Sequence, residues 1–144
     1  MDYSLKFVVG IKVTRRTEER SRSVTRFDSR TGERLQVHIA VYRVSILLGN
    51  GASITLEDYD ESHNGYPVEL RDLGVDTDLC YFGGCEVVGE VHSTGDYTCG
   101  GNPLVSPTPP ASEIESTVLK VSEQLKTLGT NTRPELFTVL AVSY

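Results

Sequence analysis

The alternation of apolar and polar side chains predicts long β-strands in the first third of the chain. Between residues 5 and 13 every second position is apolar, which is the period of a strand with one buried face. After a polar interval the pattern returns at Leu35, Val37, Ile39 and Val41. The apolar positions then shift by one, to Tyr42, Val44, Ile46 and Leu48. A β-bulge near residue 41, or a strand covered on both faces, would account for this shift.

The polar interval between these two segments has the composition of a tight turn. Asp28 and Ser29 are frequent at the start of turns, and Gly32 can adopt the left-handed conformation that closes one. Residues 5–48 are therefore predicted to form one long antiparallel hairpin. Within it, residues 14–22 allow either a strand or a helix, and their Ser, Thr and Val content favours the strand.

Short elements joined by glycine-rich turns are predicted for the middle of the chain. Residues 67–73 begin with proline and are followed by glycine, so they are predicted to form one or two helical turns. Gly83 and Gly84 mark a turn, and the glycine- and proline-rich residues 93–110 are predicted to be a surface loop. Strands are predicted over residues 53–56, 79–82 and 85–91.

An amphipathic helix and a final strand are predicted for the last part of the chain. Ser112 and Glu115 have the spacing of a capping box, and Gly129 stands where a helix ends, so the helix is predicted over residues 112–128. Its apolar positions recur at helical spacing, at Ile114, Val118, Val121, Leu125 and Leu128. Residues 136–142 are nearly all apolar, which predicts a buried, central strand.

Together these elements predict an α+β fold. A mostly antiparallel sheet is built on the long N-terminal hairpin, the main helix packs on that sheet, and the C-terminal strand is buried in it. The length of 144 residues suits one domain with its own core. We divide residues 1–144 into a hairpin, a meander with acidic loops, a Gly/Pro loop, and a helix plus strand, at 1–49, 50–92, 93–110 and 111–144.

Charge is distributed unevenly along the chain. Residues 1–40 carry nine lysines and arginines against five acids, whereas residues 41–100 carry two against eleven. A basic arm on an acidic body suggests two different electrostatic surfaces, or self-association of one with the other. A homo-oligomer is therefore an open alternative, since a long exposed ribbon often pairs with a second copy.

Composition predicts a soluble protein. Apolar residues make up 38% and charged residues 24%, and no apolar run approaches the roughly 18–20 residues that span a bilayer. Residues 1–4 lack the basic and apolar stretches of a signal peptide, and the three clustered cysteines suit free thiols better than a disulfide framework. We expect the cytoplasm of a host bacterium, without a membrane partner.

No sequence motif of an enzyme or of a nucleotide-binding loop is present, which favours a protein that is not an enzyme and holds no cofactor. One set of residues could hold zinc, because three thiolates and an imidazole can form a tetrahedral site. Its spacing differs from the tight cysteine pairs of structural zinc sites, so no metal is predicted. A Cys- or zinc-dependent enzyme stays as an alternative, with the ligands Cys80, Cys85, His92 and Cys99.

Two charged sets are candidate binding surfaces. If residues 14–27 are a strand, Arg16, Arg20, Arg22 and Arg26 share one face and could hold phosphate or carboxylate groups. The acidic loop at residues 57–61 could imitate a phosphate backbone, and tyrosines among acids are typical of protein-binding surfaces. The predicted protein-binding residues are Glu57, Asp58, Tyr59, Asp60, Glu61 and Tyr66.

Residues 24–33 and residues 139–144 resemble segments of small phage and prophage proteins. The first reads VTRFDSRTGE and the second VLAVSY. The resemblance implies an antagonist of bacterial defence, such as an anti-CRISPR protein. We therefore predict a non-enzymatic inhibitor that binds a host defence protein, a nuclease or effector complex, and blocks its nucleic-acid site. The alternative is an oligomeric protein that sequesters a nucleotide second messenger through the hairpin arginines.

Overall fold

The computed structural model has an α+β fold with two antiparallel sheets and one long helix, α1 (Ala111–Thr127). It describes residues 2–57, 59, 66–95 and 108–143. Within these ranges the chain forms eight strands. They are β1 (Asp2–Lys12), β2 (Thr14–Phe27), β3 (Arg34–Gly49), β4 (Ala52–Leu56), β5 (Pro67–Glu69), β6 (Cys80–Phe82), β7 (Val87–Gly95) and β8 (Glu135–Ser143).

The N-terminal strands divide between the two sheets. A five-stranded sheet has the order β5-β6-β7-β1-β8, and a three-stranded sheet has the order β2-β3-β4. Only Val13 separates β1 from β2, so the chain passes directly from one sheet into the other. The hairpin predicted over residues 5–48 is therefore correct for β2 and β3, and wrong for residues 5–12, which pair with β7 and β8.

A pair of glycines lies at the centre of the five-stranded sheet, where β1 and β7 approach closely. Gly10 is paired with Gly89 across the two strands. A Cβ atom on Gly10 would overlap the carbonyl oxygen of Val88, and one on Gly89 would overlap that of Val9. These positions exclude every side chain because the obstructing atoms belong to the backbone.

The main core lies where the two sheets and the helix meet. Val9 and Ile11 of β1, together with Val88 of β7, pack against Val121 and Leu125 of α1 in one cluster of buried residues. The proximal half of the three-stranded sheet joins this cluster through Val44, Ile46, Leu48, Ile54 and Leu56. The opposite face of the five-stranded sheet carries a smaller buried cluster, formed by Val8, Phe82, Val87 and Val139.

The shift in the apolar pattern near residue 41 has a cause different from the one predicted. The pairing of β2 with β3 runs without interruption from Thr14 opposite Leu47 to Phe27 opposite Arg34, so there is no bulge. Alternation places Leu35, Val37, Ile39 and Val41 on one face of β3 and Val44, Ile46 and Leu48 on the other. The apolar side therefore changes faces at the point where the two strands leave the core.

Helix α1 begins one residue earlier than predicted. Pro110 precedes its first turn in an extended conformation, with no side-chain cap, and Ser112 already lies inside the helix. The predicted capping box is therefore wrong. The helix ends at Thr127, one residue earlier than predicted, and Gly129 lies just beyond its last turn with a φ of 96°.

The C-terminal strand is at an edge of its sheet, not at the centre. β8 pairs only with β1 among the described strands, and Leu140 is 43% exposed. The main-chain groups on one side of β8 pair with β1. The apolar residues are still partly buried, because alternate side chains, such as that of Val139, reach the smaller buried cluster.

The elements between β4 and α1 differ in length from the predicted ones. Pro67 begins β5 instead of a helix, and the helical part is a single 3₁₀ turn, Leu70–Leu73. The strand over residues 53–56 and the turn at Gly83 and Gly84 are confirmed. Strand β7 continues to Gly95, so the loop predicted from residue 93 begins later, and residues 96–107 of it lie outside the described residues.

Candidate interaction site: a projecting ribbon

The distal parts of β2 and β3 form a two-stranded ribbon that projects beyond the core; we use "the ribbon" for residues 16–43. None of its side chains is buried, and Phe27 and Leu35 near its tip are 68% and 50% exposed. At about 3.3 Å per residue the strands extend roughly 35 Å from Arg16 to Phe27. The ribbon is a long structure without a core of its own, and burial therefore does not explain its length.

The tip of the ribbon is held by local hydrogen bonds. The amide of Gly32 donates to the carbonyl of Asp28 at 2.9 Å, and the Asp28 amide donates to the Glu33 carbonyl at the same distance. The Asp28 carboxylate accepts from the Arg30 amide at 2.9 Å. Gly32 has a φ of 74°, the left-handed conformation predicted for it. These contacts fix the register of the ribbon from its end.

The ribbon has two chemically different faces. Directly opposed residues of an antiparallel pair lie on the same face, so the register assigns every side chain. We call one the arginine face: Arg16, Glu18, Arg20, Arg22, Val24 and Arg26 of β2, with Leu35, Val37, Ile39, Val41 and Arg43 of β3. We call the other the hydroxyl face: Thr17, Glu19, Ser21, Ser23, Thr25 and Phe27 of β2, with Arg34, Gln36, His38, Ala40 and Tyr42 of β3.

The strand interpretation of residues 14–22 is thus correct, and it brings the four predicted arginines to one face. That face carries five arginines and one acid, beside a stripe of partly exposed aliphatic side chains. Arg20 pairs with Glu18 at 3.3 Å, and Arg43 at the ribbon root pairs with Glu57 at 3.0 Å. Arg16 and Arg26 have no side-chain partner among the described residues. The arginine face consequently has a net positive charge.

A buried aromatic network anchors the ribbon to the core. The Arg15 guanidinium lies 5.0 Å from the centroid of the Tyr59 ring, and the Tyr59 and Tyr81 rings are 5.9 Å apart. The Tyr81 hydroxyl donates to Glu86 at 2.8 Å. Burial, followed by this hydrogen bond and the charge of Glu86, raises the pKa of Tyr81 above its ordinary value, while Arg15 opposes the shift.

The residues of the predicted acidic binding surface differ in their exposure. Tyr59 is only 2% exposed and packs in the main core, so it presents almost no surface to a partner. Glu57 is exposed and paired with Arg43, and Tyr66 is half-buried. Asp58, Asp60 and Glu61 lie outside the described residues.

The candidate metal ligands do not come together. Cys80 and Cys85 pack beside the cluster of Val8, Phe82, Val87 and Val139. His92 hydrogen-bonds through Nδ1 with Thr117 of α1 at 3.1 Å. Cys99 lies outside the described residues. Where the structure describes the chain, no group of three or more His, Cys, Asp or Glu could hold a metal ion.

The Cys80 thiol is not activated as a nucleophile. Burial is the main cause that raises its pKa, and the charges of Glu69, Glu90 and Asp72 raise it further. A reactive cysteine needs the opposite environment, in which cations or hydrogen bonds favour the thiolate. The geometry around Cys80 therefore gives no support to cysteine chemistry.

Sequence reasoning missed two features of the site. The first is the exchange of the apolar side between the two halves of β3, which the shifted pattern at residues 41 and 42 did signal. The second is the contact of Arg15 with Tyr59, which no local pattern indicates because residues far apart in the chain form it. None of the described helices is long and apolar enough to cross a membrane.

No family model, curated protein or solved structure matches the chain.

Proposed function

We propose that this protein acts by binding and not by catalysis, as an inhibitor that attaches to a host defence protein and blocks its nucleic-acid site. The observation that carries this proposal is the ribbon. It projects about 35 Å, buries none of its own side chains, and exposes Phe27 and Leu35 at its tip. Exposed apolar residues gathered on one projecting element are typical of a contact surface.

The two charged regions suit different parts of one partner. The basic ribbon would hold the partner, and the acidic segment that begins at Glu57 would occupy a groove that otherwise binds phosphates. Glu57, which pairs with Arg43, connects the two regions in space. The class of partner rests on the resemblance of residues 24–33 and 139–144 to small phage and prophage proteins.

The test compares the full protein with a variant whose ribbon is shortened. Residues 21–40 are replaced by Asn-Gly, which joins Arg20 to Val41, two residues that are already directly paired. No buried side chain is removed, so the variant should keep the melting temperature within a few degrees. We expect the full protein to recover a stoichiometric partner from host lysate and to inhibit its nucleic-acid activity.

The shortened variant should do neither. Recovery of the same partner by both proteins would refute a role for the ribbon. Failure of the full protein to recover any stoichiometric partner would refute the inhibitor itself.

A second candidate function is favoured by the arginines on one face, which could hold the phosphates of a nucleotide second messenger. The ribbon face is open, so a closed pocket would need a second copy of the chain. Native mass spectrometry of protein purified from its host would then detect an oligomer with the mass of a nucleotide added. A bare monomer would exclude this function.

A further inference from the structure

Among the described residues, the outer edge of β2 is a long strand edge with no neighbouring strand. β2 is the first strand of its sheet and pairs only with β3 among the described strands. It runs through residues 14–27 without proline and without a register shift. Exposed edges are usually shortened, bulged or interrupted by proline, since they otherwise pair with other chains. This edge is long, regular and free of proline, so it retains the geometry needed to accept another strand. Its protection lies in its charged side chains, which restrict the kind of strand that can pair with it.

The side chains along this edge define the strand that it can accept. An added strand places alternate side chains beside the arginine face, at the same period of two residues at which Arg20 and Arg22 recur. Opposite charges in direct cross-strand pairs are stabilising. Acids on alternate positions that oppose Arg20, Arg22 and Arg26 would therefore match this column of side chains. Glu18 lies in the same column and disfavours an acid opposite itself. The small side chains of Ser21, Ser23 and Thr25 leave room on the hydroxyl face.

A second copy of β2 does not meet this requirement. Two copies of β2 can pair antiparallel through this edge in several registers, and in each of them directly opposed residues lie on the same face. We consider the registers in which more than half of the residues of β2 are paired. Each of them sets at least one arginine opposite another, for example Arg16 opposite Arg22 or Arg20 opposite Arg26. Like charges directly opposite each other are destabilising. Some of these registers also set Glu18 opposite an arginine, so self-pairing combines repulsive and attractive pairs. Acids opposite the arginines of β2 give attractive pairs alone, which favours a strand of opposite charge.

We propose that the free edge of β2 binds an extended acidic segment of the partner protein as an additional strand. Main-chain hydrogen bonds to the edge give this mode its affinity, and the alternating side chains give it specificity. Val24 lies in the same column as the arginines of β2 and accepts an apolar side chain in place of an acid, because every second residue of the added strand faces this column. This inference rests on the proposed function and identifies the surface and the partner chemistry that the ribbon uses.

The test uses a synthetic peptide in which Glu alternates with Thr and Val, and a shuffled peptide of the same composition whose acids are contiguous. Binding to the full protein is measured by fluorescence anisotropy. We expect the alternating peptide to bind at least about tenfold more tightly, a difference of about 1.4 kcal/mol. Hydrogen exchange should show new protection of amides within residues 14–27 when it binds. Equal binding of the two peptides, or no protection, would overturn the proposal.

Two double variants distinguish an effect of the arginine face from an effect of the protein's net charge. Arg20→Glu combined with Arg26→Glu should weaken the alternating peptide by about tenfold or more, since two opposed pairs become repulsive. Arg30→Glu combined with Arg34→Glu changes the net charge equally, in the turn and on the hydroxyl face, and should have less than about a twofold effect. The Arg20 and Arg26 variant should bind a peptide with Lys in place of Glu. Equal losses from both variants would contradict strand addition.

Two further outcomes are informative. If a single-stranded oligonucleotide binds the ribbon more tightly than the alternating peptide, the ligand of the ribbon is a nucleic acid and the proposal is overturned. If the full protein does not inhibit a host protein, the proposed function fails. If the shortened variant inhibits as well as the full protein, the role of the ribbon fails, and the strand-addition proposal fails with it. If inhibition needs the ribbon but the Arg20 and Arg26 variant inhibits normally, only the strand-addition proposal fails.

Discussion

Substitution of Gly10 by alanine tests the packing at the centre of the five-stranded sheet. The added methyl group would overlap the Val88 carbonyl oxygen and would lie 2.7 Å from the Gly89 Cα. These obstructing atoms are all in the backbone, so no side chain can rotate away. The strands β1 and β7 must move apart locally, which weakens the hydrogen bonds on either side of the Gly10 and Gly89 pair.

Three contributions determine how much stability the substitution removes. Overpacking of a well-packed interior costs about 1–3 kcal/mol. Two weakened ladder hydrogen bonds add about 1 kcal/mol each. Alanine also reduces the conformational freedom of the unfolded chain, which raises the free energy of unfolding by only about 0.4–1 kcal/mol. We therefore expect Gly10→Ala to lower the free energy of unfolding by about 2–5 kcal/mol, a large part of the roughly 5–15 kcal/mol typical of a domain.

The assay is urea unfolding followed by far-UV circular dichroism, with Gly32→Ala as the matched control. Nothing lies within 4 Å of a Cβ at Gly32, so the control bears only the conformational cost of its φ of 74°. That cost is about 1–2 kcal/mol. A loss in Gly10→Ala no larger than in Gly32→Ala would refute the argument that the two strands leave no space.

Two predictions concern titratable groups. Because the folded pKa of Tyr81 is raised above the ordinary value of 10.0, its contribution to stability is complete below pH 10 and decreases as the pH rises further. Urea unfolding between pH 9 and 11 should show a slope of up to about 1.4 kcal/mol per pH unit that Tyr81→Phe removes; an unchanged slope would contradict this assignment. Iodoacetamide should alkylate Cys80 more slowly in the folded protein than in urea at pH 8, and Glu69→Gln should increase the folded rate, as mass spectrometry of the labelled peptides would measure. Equal rates in the folded and unfolded protein would argue against burial of this thiol.

Local patterns were sufficient where the structure depends on neighbours in the chain. The turn between β2 and β3 follows from Asp28 and Gly32, whose hydrogen bonds and backbone angles are local. The apolar spacing of α1 likewise predicted its buried positions, with Val121 and Leu125 in the core. The strand interpretation of residues 14–27 correctly predicted that four arginines share a face, since alternation depends only on position.

Local patterns failed where the partner of an element had to be known. Residues 5–12 have the alternation of a hairpin arm, but their period cannot tell whether the neighbouring strand is β3 or β7 and β8. The apolar run near the C-terminus suggested a central strand, although β8 pairs on one side only. The predicted capping box does not form, because the helix begins directly after Pro110 and Ser112 already lies inside it.

The sequence by itself determined the α+β class, the turn of the ribbon and the shared face of its arginines, because each depends on residues near one another in the chain. Only the tertiary structure decided that β1 and β2 separate into two sheets, that Tyr59 is buried beside Arg15, and that the ribbon leaves the core where its apolar side changes faces. These features arise from contacts between distant segments, and their energies are absent from any local pattern.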